Sequence, residues 1–138
     1  MMRLSALTAA HLPADVIRPH YDRCAQASGI VHFGIGAFHR AHQAVYVQKL
    51  LDCGENAWSL AGGNLRPDML ETVAALQAQN GAYTLETISP EGEHQYQRIH
   101  AIKNVVSFEP GIAGLIALVA MPQTAVISFT VTEAGYYL

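Results

Sequence analysis

Two glycines, Gly34 and Gly36, stand between an apolar run and a stretch with helical periodicity. An apolar strand that enters a Gly-x-Gly turn and leaves into a helix presents bare backbone N–H groups to a pyrophosphate, as dinucleotide-binding units do. Where the general G-x-G-x-x-G pattern has its third glycine, this chain has His39. The turn therefore predicts a dinucleotide cofactor and an unusual residue at its third position.

Three side chains that can bind anions or metals crowd the start of the following helix: His39, Arg40 and His42. A cation near a helix start opposes the helix dipole, so Arg40 indicates an anionic neighbour such as a phosphate. Two histidines at i, i+3 can also face one zinc ion. Against zinc, the His-Glu-x-x-His pattern is absent and the spacing specifies no third ligand. We expect phosphate binding and no metal, with zinc as the alternative.

A ribose-binding acid is expected about 20 residues after the glycines, where the second strand ends. Gly63 or Asn64 occupies that place, and the nearest carboxylate is Asp68. We expect Asn64 and Asp68 at the cofactor, with Asp68 accepting hydrogen bonds from the ribose. The alternative is that Asp68 only interacts favourably with the dipole of the helix whose first turn it occupies. Arg66 is close enough in sequence to pair with a 2′-phosphate, so NADP is the alternative cofactor.

Polar residues also follow the last predicted strand, where α/β sheets bind ligands. Thr130, Thr132 and Glu133 are expected to contact the sugar or nicotinamide end of the cofactor, unless they only complete a polar turn. Alcohol oxidation also requires a general base. The two lysines, Lys49 and Lys103, are not at predicted strand ends. The sequence therefore supplies cofactor contacts and no recognisable acid–base machinery.

Alternating strands and helices position these residues. Residues 1–29 have no clear periodicity and are expected to form a surface arm before the domain at 30–138. The predicted elements are a strand at 30–33, a helix from Phe38 to Leu51 ended by Gly54, a strand at 57–61 closed by Gly62-Gly63, a helix from Pro67 to Asn80-Gly81, an antiparallel hairpin of 83–88 with 96–102, a helix between Pro110 and Pro122, and a strand at 125–130. The predicted fold is α/β: a Rossmann-type parallel sheet of about three strands with an inserted antiparallel hairpin, incomplete at its C-terminus.

Composition narrows the class of protein. The 138 residues are 51% hydrophobic and 14% charged, with net charge −3 and eight scattered basic residues. This argues against nucleic-acid and membrane partners. Cys24 and Cys53 have no metal-binding spacing and are expected to be reduced, semi-buried thiols in a cytoplasmic protein. No signal peptide or membrane-spanning segment is predicted.

Three segments carry a resemblance to a known family. They are Gly34-Ile35-Gly36-Ala37-Phe38-His39-Arg40-Ala41-His42-Gln43, Tyr83-Thr84-Leu85 and Thr130-Val131-Thr132-Glu133-Ala134-Gly135-Tyr136. Together they resemble the N-terminal part of the mannitol dehydrogenase family, which comprises long-chain, polyol-specific dehydrogenases. Residues 61–66, 85–93 and 132–138 look nearest to members that act on D-arabinitol.

The resemblance implies metal-independent hydride transfer between NAD and a sugar alcohol, most closely D-arabinitol to D-xylulose, or mannitol to fructose. It implies that His39 is normal for the family. It also implies that the turn of Gly34, Ile35, Gly36, Ala37, Phe38, His39 and Arg40 binds the cofactor diphosphate. The family's catalytic lysine lies in a K-x4-N-x2-H pattern of a second, helical domain.

Neither Lys49 nor Lys103 fits that pattern. We therefore expect this chain to be the N-terminal part of such an enzyme, without the substrate domain, and to show no turnover alone. A stand-alone nucleotide-binding or interaction module is the alternative from another class. The sequence does not indicate an oligomeric state.

Overall fold

The computed structural model describes residues 12–131, which form two β-sheets and four helices. In chain order these are β1 (Val16–Ile17), β2 (Ile30–Phe33), α1 (Ala37–Ala41), α2 (Gln43–Asp52), β3 (Leu60–Gly63), α3 (Leu70–Ala78), β4 (Tyr83–Ile88), β5 (His94–Ile99), β6 (Ile102–Val106), α4 (Ala113–Val119) and β7 (Val126–Phe129).

The main sheet is parallel, in the order β6-β3-β2-β7. Numbered by their appearance within this sheet, the strands run 3-2-1-4, which is the order of a Rossmann half-sheet extended by one strand. Val31 of β2 pairs with Ala61 on one side and Ile127 on the other. The predicted α/β class and parallel sheet are confirmed.

The sheet has four parallel strands among the described residues, so the expectation of about three was wrong. The additional strand is β6, which the sequence pattern had partly merged with the hairpin. The chain leaves β5 at Ile99 and enters the other sheet at Ile102, where it pairs with Leu60. The half-exposed pattern of β6 resembles that of a hairpin strand, and only its pairing distinguishes the two.

The inserted antiparallel hairpin forms, with its first strand at the predicted residues and its second strand at His94–Ile99 instead of 96–102. β4 and β5 pair antiparallel, with Tyr83 opposite Ile99 and Ile88 opposite His94. The expected surface position of the arm is wrong in part, because Leu12 and Val16 are buried and β1 pairs in parallel with β5. Two residues are too few to show a strand periodicity in the sequence, so β1 is defined only by its pairing with β5.

The predicted single helix after the glycine turn is divided in two at His42, whose backbone (φ −123°, ψ −78°) is not helical. Its N–H still donates to the Phe38 carbonyl at 3.0 Å, so the chain changes direction without losing that bond. α2 then ends before Gly54 (φ +98°), as predicted for a glycine at a helix C-terminus.

The second predicted strand also differs, because β3 begins at Leu60 and continues through Gly62-Gly63 instead of closing there. A Cβ on Gly62 would lie 2.2 Å from the His32 carbonyl oxygen, and one on Gly63 would lie 2.6 Å from that of Val106. These glycines allow a close approach between neighbouring strands. Similarly, α3 begins at Leu70 and not at Pro67, after Met69 in a left-handed conformation.

The core lies on both faces of the main sheet. On one face Leu60 packs with residues of α2 and α3, including Val47, Leu51 and Leu76. On the other face Val31 and Ala61 pack with Leu115 and Leu118 of α4. Alternate residues of β3 therefore serve opposite layers.

Both cysteines are exposed and unpaired, so the expected semi-burial is wrong. Within 12–131, no helix is long and apolar enough to cross a membrane.

Candidate functional site

A cavity of about 320 Å³ opens at the carboxyl ends of β2, β3 and β7. In open α/β sheets ligands bind outside this edge, where the connections from adjacent strands diverge. The lining consists of the glycine turn, the segment after β3 and one residue after β7: Phe33, Gly34, Gly36, Ala37, Phe38, His39, Asn64, Leu65, Arg66, Asp68, Met69 and Thr130.

The two glycines of the turn serve different purposes. Gly34 has φ +103°, which only glycine adopts without strain, and its N–H donates to the Gly63 carbonyl at 2.9 Å. Gly36 has an ordinary backbone (φ −78°, ψ 178°), and a Cβ there would meet nothing within 4 Å. Neither conformation nor packing requires glycine at 36. The open space beside this cavity-lining backbone is what a closely approaching ligand needs.

Asn64 connects the glycine turn to the opposite wall. Its Oδ1 accepts from the Ile35 N–H at 2.9 Å, and its Nδ2 donates to the Asp68 carbonyl at 3.1 Å. Asn64 is buried, and Ile35 lies in the core rather than in the cavity lining. The Ile35 N–H is thus already engaged within the protein, and Asn64 sets the spacing between the two walls.

Asp68 brings a carboxylate to the cavity, as the spacing predicted. Its Oδ2 lies 3.2 Å from a guanidinium nitrogen of Arg66, and both side chains are exposed. An exposed pair of this kind contributes little to stability. Both side chains therefore remain able to meet a ligand.

His39 is only 2% exposed, and its ring stacks on that of His32, with centroids 3.9 Å apart. Its Nδ1 donates to Gln43 Oε1 at 2.8 Å. Burial, with a smaller effect from the neighbouring His32, lowers the pKa of His39 to about 4, and burial also lowers the pKa of His32. The histidine at the third position of the turn is thus a neutral, packed ring.

Arg40 does not line the cavity. Its Nε is 3.4 Å from the Gly36 carbonyl oxygen, and its guanidinium lies 6.0 Å from the centre of the Tyr83 ring. Phe38, by contrast, is 62% exposed in the lining, and its ring stacks on that of His42. Ala37 and Thr130 also line the cavity, whereas Thr132 and Glu133 lie outside the described residues.

The family model for the mannitol dehydrogenase Rossmann domain matches residues 28–137. The chain belongs to this family. The family resemblance stated from the sequence is therefore confirmed. The matched range contains β2 to β7 and every residue that lines the cavity.

Individual relatives cover most of this chain. It is 52% identical over 108 residues to a D-arabinitol 4-dehydrogenase of Klebsiella pneumoniae, covering 78% of this chain and 24% of the relative. It is 41% identical over 125 residues to a mannitol 2-dehydrogenase of Cereibacter sphaeroides, covering 90% and 26%. The chain thus spans about a quarter of the length of these relatives.

A solved structure with the same fold is the Pseudomonas fluorescens mannitol 2-dehydrogenase in a ternary complex with NAD and D-mannitol. The TM-score is 0.89 and the identity 32%, covering 98% of this chain and 28% of the other. This similarity agrees with the parallel, Rossmann-type sheet described above.

Sequence reasoning missed several residues that the family's domain brings to the cavity. Phe33 ends β2, while Leu65 and Met69 lie on either side of the predicted Asp68. Met69 has φ 56°, a strained conformation for a side chain of its size. The signal was available, because the whole segment between β3 and α3 leaves the strand at its ligand-binding end.

The alternative of a zinc site finds no support in the arrangement of side chains. Across 12–131, no group of three or more His, Cys, Asp and Glu side chains could hold a metal ion. His42 is exposed and its Nδ1 contacts the Phe38 carbonyl, while the Nδ1 of His39 is engaged by Gln43.

Neither lysine reaches the cavity lining. Lys49 is exposed on α2 with its Nζ 5.9 Å from the centre of the Tyr46 ring. Lys103, on β6, donates to the carbonyls of Cys24 and Gln26. The described part of the cavity thus has backbone, amide, carboxylate, guanidinium, hydroxyl and buried imidazole groups and no lysine base.

Proposed function

We propose that this chain binds NAD in the cavity above β2, β3 and β7, as the Rossmann domain of a polyol dehydrogenase. The single observation that carries the proposal is the open space beside the Gly36 backbone, which lines the cavity. It is supported by the solved mannitol 2-dehydrogenase of the same fold, which is a ternary complex with NAD and D-mannitol. When bound, NAD supplies the hydride acceptor or donor for a polyol and ketose pair.

The residues of this chain supply binding and orientation. Gly34 and Gly36 let phosphate oxygens approach the backbone, while Asn64 holds the turn against the opposite wall. Asp68 accepts hydrogen bonds from ribose hydroxyls and repels a 2′-phosphate, so we propose NAD rather than NADP. The further candidate contacts are Ala37, Phe38, His39 and Thr130, which line the cavity, together with Thr132 and Glu133. The predicted contacts at Ile35 and Arg40 are not proposed again, because neither residue lines the cavity.

Titration of the purified 138-residue chain with NAD and NADP tests this proposal. We expect saturable binding of NAD and weaker binding of NADP. Asp68→Asn should narrow the difference between the two dinucleotides, because it removes the charge without changing the shape. A folded chain that binds neither dinucleotide would disprove the proposal.

For the substrate we propose D-arabinitol, oxidised to D-xylulose. The support is that identity to the D-arabinitol 4-dehydrogenase relative, 52%, exceeds the 41% to the mannitol 2-dehydrogenase relative. The test is an NAD-reduction assay of the gene product with D-arabinitol, D-mannitol and D-sorbitol. A higher kcat/KM for D-mannitol than for D-arabinitol would overturn this choice.

We also propose that the 138-residue chain alone binds cofactor without turning over a polyol, because neither of its lysines reaches the cavity. NADH formation from D-arabinitol or mannitol above background would contradict this. A search of the gene downstream of Leu138 for K-x4-N-x2-H would show whether a catalytic lysine is encoded.

The two free, exposed thiols are typical of a reducing compartment, so we place the protein in the cytoplasm.

A further inference from the structure

Five side chains, from β2, α1, α2, β7 and the residue that follows β7, form one chain of hydrogen bonds beside the cavity. His39 Nδ1 contacts Gln43 Oε1 at 2.8 Å, and Gln43 Nε2 contacts Ser128 Oγ at 3.2 Å. Ser128 Oγ then lies 2.8 Å from His32 Nδ1, and His32 Nε2 lies 3.2 Å from Thr130 Oγ1. Both ends of the chain, His39 and Thr130, line the cavity.

The Gln43 amide sets the direction of this chain at one end. An amide oxygen only accepts, so the proton of neutral His39 is on Nδ1. The amide nitrogen only donates, so one lone pair of Ser128 Oγ is occupied. The Ser128 hydroxyl hydrogen is then available for the adjacent His32 Nδ1.

We propose that Ser128 donates to His32 Nδ1, that His32 donates from Nε2 to Thr130 Oγ1, and that the Thr130 hydroxyl hydrogen is thereby directed to an oxygen of the bound cofactor. His32, Gln43 and Ser128 are then positioning residues that act through Thr130. The identity of the ligand rests on the proposed function, whereas the direction of the hydrogen bonds does not.

The histidine tautomers test the direction without any ligand. We expect ¹⁵N NMR spectra of the unsubstituted chain at pH 7.5 to show His39 with its proton on Nδ1 and His32 with its proton on Nε2. Single substitutions, His39→Asn and His32→Asn, assign the two signals. A proton on His32 Nδ1 would overturn the proposed direction, whether or not the chain binds NAD.

NAD affinity tests the consequence for the ligand. Thr130→Val should weaken NAD binding about 2- to 10-fold, the usual effect of one hydrogen bond, and Thr130→Ser should restore it. Ser128→Ala should weaken binding by a smaller factor. Because Ser128 acts through Thr130, the double variant should bind no more weakly than Thr130→Val alone.

Matched controls are Thr124→Val and Ser107→Ala, which lose a hydroxyl outside the cavity lining. Unchanged NAD affinity in Thr130→Val, or additive losses in the double variant, would overturn the positioning role. If the unsubstituted chain does not bind NAD, the proposed function and this role both fail, while the tautomer spectra still decide the direction.

Discussion

The imidazole rings of His32 and His39 stack nearly parallel, with an interplanar angle of 10°. One ring comes from β2 and the other from α1, so the stack attaches the short helix after the glycine turn to the sheet. Burial lowers the pKa of both rings, and two stacked neutral rings avoid the repulsion that two imidazolium ions would experience.

Acid should therefore destabilise the folded protein. The pKa of His39 in the folded state, about 4, is below its ordinary value of 6.5. Below pH 6.5 the unfolded chain therefore binds a proton that the folded chain does not, so the free energy of unfolding is full above pH 6.5 and falls as the pH falls toward 4. For His39 alone the loss is about 3 kcal/mol over that interval. Urea unfolding between pH 4 and 8 measures it, and a pH-independent free energy of unfolding would contradict the assignment.

A second histidine should be replaceable without loss of stability. Burial, with Arg98 and Arg23 nearby, lowers the pKa of His100 to about 4, and its buried Nε2 has no hydrogen-bond partner. His100→Phe keeps a ring against Tyr21 and removes the titrating group. We expect a higher free energy of unfolding than in the unsubstituted chain at pH 5 and a smaller difference at pH 8. Equal pH dependence in both chains would contradict the prediction.

Gly36→Ala should separate binding from folding. The added methyl group enters open space beside the cavity, so the free energy of unfolding should change by no more than about 0.5 kcal/mol. NAD affinity should fall at least about tenfold, because the methyl group occupies the ligand's approach. Calorimetric titration measures the affinity. Gly92→Ala, in the hairpin turn, is the control for affinity, and unchanged binding in Gly36→Ala would disprove the role of this position.

Gly62→Ala should have the opposite effect. Its Cβ would lie 2.2 Å from the His32 carbonyl oxygen, so β2 and β3 would have to separate. We expect a loss of about 3 kcal/mol in the free energy of unfolding. Thermal or urea unfolding measures the loss. Gly36→Ala is the matched control, because it adds the same methyl group at a position with no atom within 4 Å. Equal stabilities of the two variants would show that the close approach is unimportant.

Arg23 should be required for attachment of the arm. Its guanidinium donates to the carbonyls of Asn80, His100, Ile102 and Lys103. Arg23→Met should cost about 2 to 3 kcal/mol of unfolding free energy, because these carbonyls lose a charged donor. Arg66→Met, which removes an exposed guanidinium, is the control and should cost less than about 0.5 kcal/mol. Similar losses in both variants would contradict the prediction.

Local chemistry was sufficient for several features of the fold and site. The Gly34 turn, the helix end at Asn80-Gly81 and the hairpin around 89–92 follow from residues that favour particular backbone conformations. Because parallel strands place their carboxyl ends at one edge, the order of elements also predicted that Gly36, Asp68 and Thr130 would meet. The family followed from the motifs.

Features that depend on a distant partner could not be obtained this way. β1 and β6 have patterns too short or too polar to show which strand they pair with, and the break at His42 has no glycine or proline to mark it.

The sequence by itself therefore determined the class of fold, the family and several residues that line the cavity, because these depend on short-range backbone preferences and element order. Only the tertiary structure decided that Arg40 turns toward Tyr83, and that His39 stacks on His32 within a chain of hydrogen bonds to Thr130. Side-chain direction and proton placement depend on atoms nearly a hundred residues away in the chain, which no local pattern specifies.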